Sequence, residues 1–158
     1  MGLLLLLTGC AAQETFETVE DWYYEPVISA GAVTMSLPKG AAAAALTHSD
    51  GSSIYLCEGF TLCLQTLPGG DLNATLRSVS GFTKEQLEPM QTAVSGVKRY
   101  DFVWAAAGEG GDQLCRGALL DDGNYHYVLT VMADADTAPG LEESWRSIFS
   151  SFSLRTET

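Results

Sequence analysis

Between Arg99 and Ala133 the chain alternates apolar and polar positions. Tyr100, Phe102, Trp104 and Ala106 share one parity, and Tyr125, Tyr127, Leu129 and Val131 share another. A period of two marks strands. The run Gly108-Glu109-Gly110-Gly111-Asp112 interrupts the alternation once. Asp122-Gly123 interrupts it again, as a type I′ hairpin signal. The spacing predicts a three-stranded antiparallel meander over residues 99–107, 113–120 and 124–133. A five-residue loop at 108–112 sets Ala106 opposite Leu114 and Phe102 opposite Ala118. A tight turn at Asp122-Gly123 sets Leu120 opposite Tyr125, Ala118 opposite Tyr127 and Leu114 opposite Val131. Both pairings gather the apolar sets on one face.

Helical spacing follows the meander. Leu141, Trp145, Ile148, Phe149 and Phe152 fall at i, i+4, i+7, i+8 and i+11, which predicts a closing helix with one apolar stripe. The aromatic face of the meander is its expected partner. Upstream, Ala32 to Leu37 reads as a strand stopped by Pro38-Lys39-Gly40. The alanines of Ala41 to Leu46 favour helix, but six residues do not define one. Ser52 to Cys57 and Phe60 to Leu67 read as strands around Glu58-Gly59, with Ile54, Leu56, Phe60, Leu62 and Leu64 on one face. Asp71 is an N-cap for a helix carrying Leu72, Leu76 and Val79, which Gly81 ends. Thr83 and Gln86 form a capping-box pair before Leu87 and Met90, so a second short helix follows. Antiparallel strands with covering helices predict an α+β sandwich.

Size allows one ordinary domain and a tether, because the chain has 158 residues and 46% hydrophobic content. A net charge of −12 argues against nucleic acid, whose phosphates need clustered Lys and Arg. It also repels an anionic bilayer and keeps the domain soluble. Four cysteines are too few for a disulfide scaffold.

The start of the chain carries an address. Leu7-Thr8-Gly9-Cys10, after a run of leucines, resembles the bacterial lipobox. Leu3 to Leu7 is far too short to cross a bilayer, which takes about 20 apolar residues. The myristoylation pattern fails at Leu6. A signal peptide opens with Lys or Arg, whereas Met1-Gly2 precedes the leucines here, so a true start upstream of Met1 is the expectation. The resemblance implies cleavage before Cys10, a lipid on its thiol, acylation of the new amino terminus and a place on the cell membrane facing outside the cytoplasm. The expected organisation is a signal peptide at 1–9, a lipidated acidic tether at 10–30 and a globular domain at 31–158. Phe16, Trp22, Tyr23 and Tyr24 are expected to dock the far end of the tether.

The order of elements over residues 31–154 is similar to the PsbP-like α/β sandwich. The strand ending in Leu37-Pro38, the helix after Asp71, the meander and the closing Trp145-Arg146-Ser147-Ile148-Phe149-Ser150-Ser151-Phe152 carry the likeness. That family includes bacterial lipoproteins and assembly or accessory factors that bind proteins. It has no shared catalytic set, so the resemblance implies no catalytic residue.

Arg116 stands out as the one charged group on the predicted apolar face. The predicted register places Trp104 on one side of it and Leu129 on the other. A cation there needs a carboxylate, a ligand anion or an escape to solvent. A small-ligand site of Arg116, Trp104 and Tyr127 is therefore the alternative to a protein-binding role. Cys57 and Cys63 face each other only across a five-residue loop at 58–62, and a tighter three-residue alternative leaves Cys57 in the turn. Cys115 is expected on the face away from Arg116, opposite Thr130. His126 shares that face opposite Leu119, too far for a thiol–imidazole pair. No zinc spacing joins His48 or His126 to cysteines. Asp134-Ala135-Asp136 opens like a calcium loop, then fails at Ala138 and Pro139. The sequence thus predicts no metal, no cofactor and no catalytic set. It favours a lipid-anchored domain that binds an envelope protein.

Overall fold

The computed structural model describes residues 26–29, 33–38, 40–42, 46–47 and 52–155. Cys10, the tether aromatics and His48 lie outside them. Strands β1 (Pro26–Ser29) and β2 (Val33–Ser36) open the fold. They are followed by β3 (Leu46–Thr47), β4 (Ser53–Cys57) and β5 (Phe60–Pro68). Two helices come next, α1 (Leu72–Ser80) and α2 (Lys84–Leu87). Then come β6 (Met90–Val94), β7 (Val97–Gly108), β8 (Gly111–Asp121) and β9 (Tyr125–Asp134). A 3-10 turn at Ala138–Leu141 leads into α3 (Glu142–Ser151), and β10 (Ser153–Leu154) closes the order.

Seven strands form one antiparallel sheet in the order β3-β4-β5-β9-β8-β7-β6. A small sheet, β1-β2-β10, lies apart from it. This is the α+β sandwich that the sequence predicts. The large sheet is packed on both faces. On one face, α3 and β2 bury Trp145, Ile148, Phe149, Val33 and Met35 against Leu62, Leu64, Leu129 and Val131. On the other, Leu76 of α1 packs with Tyr100, Phe102, Trp104, Cys115, Leu119 and Val128.

Local chemistry sets the helices as read. The Asp71 side chain accepts from the Ala74 amide, and the Gly81 amide donates to the Arg77 carbonyl. Thr83 and Gln86 complete the capping box of α2. Thr137 precedes the 3-10 turn, but its side chain makes no cap.

Three register expectations are overturned. Glu58-Gly59 is a two-residue turn, so Cys57 pairs with Phe60. Tyr55 therefore shares a face with Leu62, while Ile54 and Leu56 point to the other side. The loop after β7 also has only two residues, Glu109-Gly110, and Phe102 pairs with Gly117 instead of Ala118. That shift by one carries every β7 side chain to the opposite face relative to β8. The aromatics of β7 consequently meet α1, not the closing helix. The third turn is Gly123-Asn124, so Leu120 pairs with Tyr127. This shift by two preserves the facing sets.

Four short strands extend the predicted set. Met90 begins β6 and does not continue the helical stripe. β6 turns into β7 through Ser95-Gly96, both at positive φ (54° and 80°), as a type I′ turn requires. β1 lies before Gly31, and β3 and β10 are two residues each.

Candidate functional site

Arg99, Arg116 and Arg146 converge where β7, β8 and α3 meet. Arg99 is fully engaged. Its Nε and Nη2 donate to the two carboxylate oxygens of Asp101 at 2.8 and 3.0 Å. Its Nη1 and Nη2 also donate to the carbonyls of Phe152 and Phe149 at 3.1 and 2.9 Å. Those carbonyls close the C-terminal end of α3, where a cation is favourable. Arg146 donates to Glu142 one turn earlier at 3.1 Å.

Arg116 is different. It sits on the α3 face between Val103 and Val131. Its guanidinium carbon lies 4.2 Å from the centroid of the Phe149 ring. Among the described residues it has no hydrogen bond or ion pair. Burial pushes its pKa down, Asp101 opposes the shift, and Arg99 and Arg146 reinforce it. A guanidinium stays charged through such a shift. The ring contact is worth roughly 0.5–2 kcal/mol, which does not replace a lost hydration shell.

The surroundings of Arg116 are apolar and open. Val103 is 60% exposed and Leu114, two residues away on β8, is 39% exposed. Met90 is 66% exposed beside Asp101. These side chains share one face of the sheet with Ala105. They form an uncovered apolar strip beside an unpaired cation.

The predicted ligand trio is not brought together. Trp104 pairs with Cys115 on the opposite face, stacked 5.5 Å from Phe102. The reason is the one-residue register shift. Tyr127 does share the face of Arg116, but lies four residues along β9 from Val131, roughly 13 Å away by strand rise. Its hydroxyl donates to Asp122 at 3.0 Å. Burial and that carboxylate raise its pKa to about 12.

A second polar cluster went unnoticed in the sequence. His126 is completely buried, and its Nδ1 lies 2.7 Å from the Thr75 hydroxyl of α1. Among the described residues its Nε2 has no hydrogen-bond partner, and it stands 3.6 Å from the Asp121 carboxylate. The order carboxylate, imidazole, hydroxyl imitates a nucleophilic relay, but His126 and Thr75 are both buried. The cluster ties α1 to β9 instead. His126 faces Asp121, and Cys115 faces Met132 and Trp104. This corrects the expected Leu119 and Thr130 neighbours. Six residues of β9 separate His126 from Met132, roughly 20 Å.

Cys57 and Cys63 lie on opposite faces and cannot bridge. Burial raises the Cys57 thiol to about 11 and pushes up Cys115 as well. Neither is poised as a thiolate. Three concavities open around α3 and the small sheet. One, about 680 Å³, is lined by Ser36, Ser144, Ser147, Ser150 and Glu143. Another, about 670 Å³, runs past Val94, Val97, Leu120 and Leu154. The third lies at Glu58, Phe60 and Leu141. None of the three is lined by a histidine or cysteine. Among the described residues, no cluster of three or more His, Cys, Asp or Glu is placed to hold a metal ion. No described helix is long and apolar enough to cross a membrane.

No family model matches the chain, and no curated protein does. Solved structures do match. A crystal structure from Bacteroides thetaiotaomicron aligns over 85% of this chain with a TM-score of 0.58 and 10% identity. The chain spans 50% of that protein's length. A mutant of protein Mog1 aligns over 82% of this chain and 95% of its own, with a TM-score of 0.54 and 12% identity. The Saccharomyces cerevisiae Ran-binding protein Mog1p aligns over 82% and 94%, with a TM-score of 0.52 and 14% identity. At these identities the likeness establishes a shared fold, and it bears out the α+β sandwich.

Proposed function

We propose that this chain is a lipid-anchored, non-catalytic binding domain that docks an envelope protein outside the cytoplasm. The observation that carries the reading is the open margin of the α3 face. Met90, Val103 and Leu114 are exposed there on a sheet whose neighbouring strands are core. Exposed apolar strips beside charged groups suit protein contacts. A fold that also serves a Ran-binding protein is compatible with such a role. The anchor reading rests on Leu7-Thr8-Gly9-Cys10. The small-ligand reading loses support, because Phe149 covers Arg116 and Trp104 lies across the sheet.

Two measurements test this. Metabolic labelling with a clickable fatty acid labels the wild type and not Cys10→Ser. An unlabelled cytosolic product refutes the anchor. Crosslinking on intact cells followed by mass spectrometry finds a partner with the wild type, and Val103→Asp loses it. Unchanged crosslinking in Val103→Asp refutes the docking face.

A further inference from the structure

We infer that the partner presents a carboxylate set between apolar side chains, which pairs with Arg116 while its neighbours cover Met90, Val103 and Leu114. This rests on the binding role proposed above and names the chemistry of that site. The charge distribution is the first argument. The chain carries 20 acidic residues and only 8 Lys and Arg. Two of those eight, Arg99 and Arg146, lie within electrostatic reach of a third, Arg116. Asp101 and Glu142 offset two of them, so the cluster keeps one uncompensated positive charge, at Arg116, on an otherwise acidic protein. Such a contrast orients docking.

The second argument is which of the three cations is unsatisfied. Asp101 and two helix carbonyls saturate Arg99. Glu142 holds Arg146. Among the described residues, Arg116 alone of the three has no oxygen partner, and it is half-buried beside the apolar strip. Its guanidinium carbon lies over the Phe149 ring. A planar guanidinium with a free edge matches a carboxylate through two parallel hydrogen bonds. A phosphate-rich surface would draw on several free cations, and here two are already bound. Arginine between exposed aliphatic side chains has the character of a binding hot spot.

The test is site-specific photocrosslinking in the native cell, with p-benzoylphenylalanine replacing Ala105. The linked peptide is mapped by mass spectrometry. The expected result is a segment of another protein, with Asp or Glu flanked by apolar residues next to the linked position. Arg116→Gln lowers the yield at least about tenfold, since truncating one member of a desolvated charge pair weakens binding by that much or more. Arg116→Glu restores it when the mapped acid is changed to Arg. If Arg116→Gln fails to accumulate, Glu→Gln or Asp→Asn in the mapped segment supplies the same reading. A yield unchanged by Arg116→Gln but abolished by Val103→Asp overturns the carboxylate and leaves the docking face standing. A link to residues 11–25 of this chain, to a second copy or to lipid overturns the inference. A yield no higher than from p-benzoylphenylalanine at Lys84 overturns both readings.

Discussion

Gly117→Ala tests the register on which the site depends. Gly117 lies directly opposite Phe102. A Cβ built there would stand 2.6 Å from both Cε2 and Cζ of the Phe102 ring and 3.3 Å from Cδ2. Ordinary carbon contacts fall at roughly 3.5–4.0 Å, so the ring must retreat by about 1 Å. It has nowhere to go. Phe102 is 4% exposed, stacks on Trp104 at 5.5 Å, and shares its cluster with Leu76 of α1. Two effects oppose the clash. Replacing a strand glycine gains about 0.5–1 kcal/mol of backbone entropy, and one buried methyl adds about 0.8 kcal/mol. Overpacking a closed core costs about 1–3 kcal/mol, and strain on two stacked rings puts this case at the upper end. The net expectation is a loss of about 1–2 kcal/mol. For a domain of this size that lowers Tm by about 2–8 °C. Urea unfolding of Gly117→Ala, Phe102→Leu and the double variant closes a cycle. The smaller leucine should cancel most of the alanine penalty. A variant as stable as the wild type, or fully additive losses, would refute the packing and with it the pairing of β7 with β8.

Other outcomes follow from the same contacts. Arg99→Met removes the Asp101 pair and two bonds to the α3 carbonyls, and chemical denaturation should register a loss of about 2–4 kcal/mol. Asp122 has a depressed pKa: burial would raise it, but amide donors at Tyr125 and Asn124 and the Tyr127 hydroxyl outweigh burial. The unfolded carboxyl therefore binds its proton more readily than the folded one. Its contribution is complete above the ordinary carboxylate pKa of about 3.9 and is lost as pH falls through the depressed folded value. Asp122→Asn should flatten the acid limb of a stability–pH curve, and an unaltered limb counts against the hydrogen-bond assignment. Cys57, raised to about 11, should alkylate on the order of a hundredfold more slowly at pH 8 than in denaturant. Peptide mapping after timed iodoacetamide treatment measures this, and equal rates contradict its burial.

Helices were legible because their signals are local. Asp71, Gly81 and the Thr83–Gln86 pair each report on their own turn. The stripe of Trp145, Ile148 and Phe149 needed only the helical period. Register was not legible, for a physical reason. Where a sheet is covered on both faces, parity stops discriminating. In β8 both sets are buried, Ala118 and Leu120 on one face and Cys115, Gly117 and Leu119 on the other. The choice then rested on loop length. A run of five residues, three of them glycine, tolerates a two-residue turn as readily as a longer loop. Met90 misled because it follows Leu87 at helical spacing, yet Pro89 separates them. The His126–Thr75 contact joins positions 51 apart, and no local pattern announces it.

The same register explains why the candidate site exists at all. Seven strands spaced about 4.8 Å apart span roughly 29 Å between the outer axes. One helix is about 10 Å wide, and the small three-stranded sheet spans about as much between its outer strands. Together they cover two-thirds of the α3 face, leaving a margin about two strands wide. Which side chains occupy that margin depends on β7. With Phe102 opposite Gly117, the aromatics turn toward α1, and Asp101, Val103 and Ala105 fill the margin. Arg116 lies on the boundary, with Phe149 on its covered side and exposed Val103 on its open side. A register displaced by one residue would set Trp104 over that boundary and close it. The open apolar strip beside Arg116 is thus a consequence of one two-residue turn, Glu109-Gly110.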